Sequence, residues 1–343
     1  MPGITGTSVT VNALVNGTRY DFTVAAVNAA GEGPPSSPPL TINPMNPTTV
    51  LASGLTEPAT IAVDATSVYW IDSGNGLTTD GRSLRKIELD GGSIETLAAG
   101  LSVQTGLLLD ASHVYWSEDM AVKKIAKTGG PVTTLASGKG SVGFAIDDSS
   151  AYFSENIAGG SIYAVSLDGG AVTTLATGLV RGARSLAVNA TDLVYADYGN
   201  NVAKVALEGG TPTPLATGLN EVSGIAIDAA SVYWIQSDPT THGGLVQKVG
   251  LDGGTITTLA SGQGFSAWSA VALDATHVYW TEIDNHGGST GAIKKVGKSG
   301  GGVTTLAVTK LSSGQGNSYL DFLAVDATSV YWPASPGTIN KVH

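Results

Sequence analysis

Two histidines sit in nearly the same surroundings. His242 lies in Thr241-His242-Gly243-Gly244 and His286 in Asn285-His286-Gly287-Gly288, with Asp284 two residues ahead. Imidazoles beside a carboxylate could ligate a divalent metal or exchange a proton. The plainer alternative is a pair of exposed loop histidines between glycine hinges. Arg181 and Arg184 could clamp a carboxylate or simply relieve an acidic surface. Phe265 and Trp268 fall near Gln263, and Tyr319 near Gln315 and Asn317. Ring faces next to amides suit stacking on, and bonding to, a sugar or peptide; the same rings could plug the end of a sheet.

A further series of acids stands two places after an aromatic: Asp72, Glu118, Glu155, Asp197 and Glu282, broken by Gln236 and Ala334. The recurrence invites a central cation site. Lys86, Lys124, Lys204, Lys248, Lys295 and Lys341 recur as well, and ion pairs or turn caps within each repeat would account for both sets. His113 and His277 fall in repeated turns, where a structural or solvated role is expected. No Gly-x-Ser-x-Gly, His-Glu-x-x-His, phosphate-loop or EF-hand string is present. No catalytic residue, metal ligand set or cofactor is therefore assigned.

The net charge of −11 argues against nucleic acid and anionic membrane surfaces as partners. The absence of cysteine rules out disulfides, thiolate metal sites and a Cys nucleophile. No apolar run is long enough for a membrane span. The first residues lack the charged and apolar regions of a signal peptide.

The elements that position these residues come from one phrase used seven times. Asp64-Ala-Thr-Ser-Val-Tyr-Trp70 returns unchanged at 326–332, with variants starting at Asp110, Asp147, Asn189, Asp228 and Asp274. The spacings are 46, 37, 42, 39, 46 and 52 residues. Repeats of about 40–45 residues with several short strands each are the signature of propeller blades. Each unit predicts four strands: an apolar run A (Ile61-Ala62-Val63), a turn led by Asp64, strand B (Val68 to Ile71), strand C (Leu84 to Ile87), an acid-Gly-Gly turn, and strand D (Thr96-Leu97-Ala98). An Asp that leads a turn bonds its own backbone two residues on, and Gly-Gly supplies the positive φ a hairpin wants. The repeats open on a D strand, Val50-Leu51-Ala52, and finish on a C strand ending at Val342. The expectation is an all-β, seven-bladed β-propeller over 48–343, closed by pairing of its N- and C-terminal strands. Closure of this kind leaves no broken blade edge.

Ahead of the repeats, Ser8 to Leu14 and Tyr20 to Val27 alternate about Asn16-Gly17 and predict a hairpin. Leu14, Asn16-Gly17-Thr18, Tyr20, Phe22, Val24, Ala26-Val27-Asn28 and Ala30-Gly31-Glu32-Gly33-Pro34 resemble the C-terminal half of a fibronectin type III domain. The resemblance implies a corner tyrosine at Tyr20. Such a sandwich takes about 100 residues, so 1–40 is expected to be a truncated fragment, the chain opening inside a longer parent, and 41–47 a Pro-rich linker.

Tyr69-Trp70-Ile71-Asp72 and Tyr279-Trp280-Thr281-Glu282 resemble the YWTD propellers of low-density-lipoprotein-receptor ectodomains. That family typically has six blades. Seven blades are more similar to streptogramin-lyase-type and YVTN-type bacterial propellers. The combination implies an exported protein, extracellular or in the cell envelope. Strand order puts the uniform A–B and C–D turns on one face and the variable D–A and B–C loops on the other. Blades 1, 5 and 6 and the segment Lys310 to Asp321 carry the long loops. The favoured expectation is a non-catalytic binding or adhesion module, a monomer or part of a larger surface protein, that holds a glycan or protein ligand on the loop face. A metal-dependent lyase using His242 or His286, and a structural spacer, stay open as alternatives.

Overall fold

The computed structural model describes all residues except 1–7, 15–18, 43, 73–80, 103, 119, 140–141, 156, 181, 198–199, 239, 241–242, 265–269, 284–289, 311–322 and 335. Every regular element among the described residues is a strand. Seven antiparallel four-stranded sheets follow one another, each with strands in the order A-B-C-D. Blade 1 is Pro58–Val63, Ser67–Asp72, Ser83–Glu88 and Glu95–Ala99. Blades 2 to 6 repeat it, and their B strands are His113–Glu118, Ser150–Ser154, Asp192–Asp197, Ser231–Ser237 and His277–Ile283. The A strands of neighbouring blades approach one another around the axis, and the D strands carry the outer edge.

Blade 7 is closed by the start of the repeat region. Its sheet runs Ala324–Val325, Val330–Ala334, Thr338–Val342 and then Thr49–Ala52. Thr49 pairs with Lys341, Val50 with Asn340 and Ala52 with Ile339. The Leu55 N–H donates to Gly337 O at 3.0 Å. The Asn46 amide also reaches the carbonyl of His343. The expected closure is therefore present.

The core is divided into seven clusters, one at each blade interface. Tyr69 of blade 1 packs with Trp116 of blade 2, Tyr115 with Phe153, Tyr152 with Tyr195, Val194 with Trp234, Tyr233 with Trp280, Tyr279 with Trp332, and Tyr331 with Trp70. The period of two explains this division. Adjacent residues on strand B point to opposite faces of the blade, so the tyrosine of the phrase meets the next blade and the tryptophan the previous one. A buried aromatic removes about 150–250 Å² from water. At about 25 cal/mol per Å² that is roughly 4–6 kcal/mol of driving force per ring.

The N-terminal segment is smaller than expected. Tyr20–Phe22 pairs with Leu40–Ile42, and Val27–Asn28 with Gly31–Glu32. Between them Ser36 N–H donates to Val24 O at 2.8 Å and Gly33 N–H to Ala26 O at 2.8 Å. The run Ser8 to Leu14 alternates in type but forms no strand. Ala13 has φ +61°, which breaks extended backbone for a residue with a Cβ.

Candidate functional site

The two faces of the propeller differ in how their polar groups are used. On the A–B turn face the leading acid of each phrase is fully engaged. In blade 6, Asp274 Oδ1 accepts from the N–H groups of Thr276 and His277, each at 2.6 Å, and Oδ2 accepts from the Tyr279 phenol at 2.6 Å. Blades 1, 2, 3, 5 and 7 share the acid–phenol bond, at 2.6 to 3.2 Å. Burial alone would raise the carboxyl of Asp228. The N–H of Ala230, Lys298, the Tyr233 phenol and the Ser231 N–H outweigh it and hold the group at about 2. Burial, together with the bond to Asp228 and its charge, pushes Tyr233 up to about 12.

Two lysines add to this face. Lys127 of blade 2 reaches Asp64 of blade 1 at 2.7 Å, and Lys298 of blade 6 reaches Asp228 of blade 5 at 2.9 Å. The corresponding turn residue is leucine at 89, 167, 207 and 251, where it packs on the preceding blade's cluster. The Gly-Gly pair of the same turns has positive φ throughout, 97° and 117° at Gly91 and Gly92. His113 and His277 bond their neighbours Ser112 and Thr276 through Nδ1 at 2.7 Å. This face is a self-satisfied scaffold.

Four of the five acids at the far end of strand B, which stand by the loop face, are engaged too. Asp72 meets Arg85 at 3.4 Å, Glu118 meets Lys123 at 3.0 Å, and Glu282 meets Lys294 at 2.6 Å. Asp197 takes the N–H of Asn201 at 3.1 Å as a turn cap. The expected partners were the lysines one place later on strand C, and register corrects this. Arg85 stands opposite Trp70 and shares a face with Asp72, whereas Lys86 stands opposite Tyr69 and points the other way. Lys86, Lys124, Lys248 and Lys341 donate to backbone carbonyls of the next blade, at Lys127, Leu167, Lys298 and Leu89, while Lys86 and Lys204 also make ion pairs within their own blades, with Glu95 at 3.1 Å and Asp192 at 3.5 Å. Among the described residues no group of three or more His, Cys, Asp or Glu is placed to hold a metal ion.

Of the candidate ligand residues, Arg184 stands half-buried in strand A of blade 4, Ala183–Val188. Arg181, His242, Phe265, Trp268, Asp284, His286 and Tyr319 lie outside the described residues. Gln263 uses its amide within the fold, accepting from Lys294 at 3.2 Å and donating to Ser261 O at 2.7 Å.

The described loop face shows residues that the sequence reading did not single out. Met120 is 53 % exposed, Ile157 58 % and Val180 59 %. They lie on the B–C turns of blades 2 and 3 and just after the D strand of blade 3. The residue after Gly-Leu is polar at Thr56, Ser102 and Asn220 but is Val180 after blade 3.

Residues 2–43 match the fibronectin type III domain family. No curated protein matches the chain in sequence. Solved structures similar to it include the WD40 beta propeller domain of Doa1, with 11% identity and a TM-score of 0.64 over 87% of this chain and 97% of that one. YCF48 bound to D1 peptide has 13% identity and a TM-score of 0.58 over 87% and 95%. A putative TolB from Agrobacterium tumefaciens has 13% identity and a TM-score of 0.50 over 73% and 94%. At such identities the likeness shows the propeller fold alone.

Proposed function

We propose that the chain is a non-catalytic binding module whose propeller holds a peptide or glycan on its loop face, within an exported multidomain protein. The contrast between the two faces carries this reading. The turn face repeats one network in which acids, phenols and backbone N–H groups satisfy each other. The loop face is where the blades differ, in loop length and in exposed apolar side chains. A rigid scaffold that presents variable loops is how binding sites are commonly built. YCF48, of similar fold, is described bound to a peptide. The fibronectin type III match and the likeness of Tyr69-Trp70-Ile71-Asp72 to YWTD repeats support a place outside the cell.

The test is a glycan array and a random dodecapeptide display library probed with the full chain. Ligands should keep their affinity when turn-face residues such as Asp90 and Asp168 become Lys, and lose it when loop-face residues are changed. A ligand displaced only by the turn-face changes, or one that the protein turns over, would overturn the reading.

A further inference from the structure

One turn of the ring carries an open amide nitrogen where its sisters carry a fully engaged carboxylate. Asn189-Ala190-Thr191 opens the phrase of blade 4. Asn-x-Ser/Thr, with any residue but proline in the middle, is the acceptor string for N-linked glycans. The string is short, and its third residue is ordinary here, since Thr66, Ser112, Ser149, Thr276 and Thr328 hold the same place in other blades. What distinguishes blade 4 is the first residue and the surroundings of its side chain.

Asn189 Oδ1 accepts from the Thr191 N–H at 2.9 Å, the Thr191 hydroxyl at 3.2 Å and the Asp192 N–H at 2.8 Å. The turn thus uses the oxygen and leaves the nitrogen. Nδ2 donates to no described residue, yet it is not among the buried polar atoms that lack a partner, so it faces water. Three groups that close the corresponding place elsewhere are missing. The phenol that donates to the second carboxylate oxygen in the six other blades is replaced by Val194. The lysine that reaches that oxygen from the next blade, Lys127 onto Asp64 and Lys298 onto Asp228, is replaced by Leu251. The strand C lysine, which in blades 1, 2, 5 and 7 reaches a carbonyl of the next blade, is here Lys204 and meets Asp192 at 3.5 Å. Ala190 and Thr191 are exposed.

We infer that Asn189 is the acceptor of an N-linked glycan carried on the turn face, away from the loops. In the transfer, Nδ2 attacks the anomeric carbon of an oligosaccharide held on a polyprenyl diphosphate. The nitrogen–carbon bond forms and the bond from that carbon to the diphosphate oxygen breaks. The diphosphate leaves with the electron pair, and the amide gives up one proton. An aspartate at the same place has no nitrogen to offer. A glycan is bulky and needs a surface position, and a nitrogen open to water on a scaffold turn provides one. The inference rests on the exported reading above, because this transfer acts on chains that cross a membrane.

The full chain, placed behind a cleavable signal peptide, is translated in a cell-free extract with rough microsomes, and the product is mapped by tryptic mass spectrometry. The microsomes supply the route across a membrane, so an empty Asn189 counts against the site and not against export. We expect a glycan at Asn189 that peptide N-glycosidase removes, leaving Asp in its place. Thr191→Ala should abolish it and keep the fold, since blade 5 has Ala230 at that position. The glycosylated chain should melt at the same temperature as the bare one. An unmodified Asn189 would overturn the inference. So would a glycan confined to Asn16, which begins the one other such string, Asn16-Gly17-Thr18, outside the described residues. A chain glycosylated at Asn189 that no longer folds would overturn it as well.

Discussion

Asn189 and Val194 take, in blade 4, the two positions that form the acid–phenol bond in all six other blades. The two changes are linked by chemistry. Asn189 Oδ1 still accepts from the N–H groups of Thr191 at 2.9 Å and Asp192 at 2.8 Å, so the turn keeps its half of the network. With valine at 194 there is no phenol to occupy a second carboxylate oxygen. A carboxylate there would lack a donor, and an amide carries no charge to be left unsolvated. The chain contains its own double substitution.

The first prediction follows from that pair. Tyr279→Phe removes the phenol from Asp274 and leaves Oδ2 short of a donor. A hydrogen bond to a charged group contributes about 1.5–3 kcal/mol, and a loss in that range is expected from urea unfolding. Adding Asp274→Asn should recover part of the loss, as blade 4 does. A double variant less stable than Tyr279→Phe by the full cost of the second change would show the two positions to be uncoupled.

The same network sets the pH dependence of stability. Asp228 is held at about 2 in the folded chain against an ordinary 3.8. Its contribution is present above 3.8 and is lost as the pH falls toward 2. Tyr233 is raised to about 12 from an ordinary 10. Its contribution is present below 10 and is lost as the pH rises toward 12. Asp64, Asp110, Asp147, Asp274 and Asp326 shift in the same downward direction, and Tyr69, Tyr115, Tyr152, Tyr279 and Tyr331 upward. The thermal midpoint should be flat between about pH 5 and pH 9 and fall on both sides. A steep slope inside that window would assign the control of stability to other groups.

Much of this was legible because every blade must solve the same turn. Asp64 announces its turn through bonds to its own backbone, and Val50-Leu51-Ala52 announces closure because it reads as a D strand with no A, B or C before it. What strand C does with its cations was not legible. Arg85 and Lys86 are adjacent and chemically alike, and only the pairing with Trp70 and Tyr69 decides which one meets Asp72. The run Ser8 to Leu14 misled for a different reason. Its alternation fits a strand, but the backbone at Ala13 does not.

Closure of the ring gives a coarser prediction. Deleting 48–54 removes the three-pair ladder from Thr49 to Lys341, Val50 to Asn340 and Ala52 to Ile339. It also uncovers the cluster in which Ala52 packs with Tyr331 and Trp70. A loss of about 4–5 kcal/mol, against an unfolding entropy of roughly 0.6–0.7 kcal/mol/K for a chain of this size, lowers the thermal midpoint by about 6–8 °C. An unchanged midpoint would mean that blade 7 stands on three strands.

The buried pair of blade 2 offers a test of what its charges do. Glu118 is almost wholly buried, accepts from Trp116 Nε1 at 2.7 Å and meets Lys123 at 3.0 Å. Blade 5 is built alike without charge. Gln236 accepts from Trp234 Nε1 at 3.2 Å, and Gln247, at the strand C position of Lys123, donates to Thr258 at 3.0 Å. Breaking a buried pair costs about 3–5 kcal/mol because one charge is left alone, while replacing both partners can be nearly neutral. Only the acid is buried here, since Lys123 is 27 % exposed and can turn to water, so Glu118→Ala should lose about 1–3 kcal/mol by leaving the indole N–H without its acceptor. Glu118→Gln with Lys123→Gln keeps the indole acceptor, removes both charges and should stay within about 1 kcal/mol of the parent. Urea unfolding of the two single glutamine variants and the double closes the cycle. If the double variant falls as far as Glu118→Ala, the charges themselves, and not the acceptor for Trp116, hold this interface together.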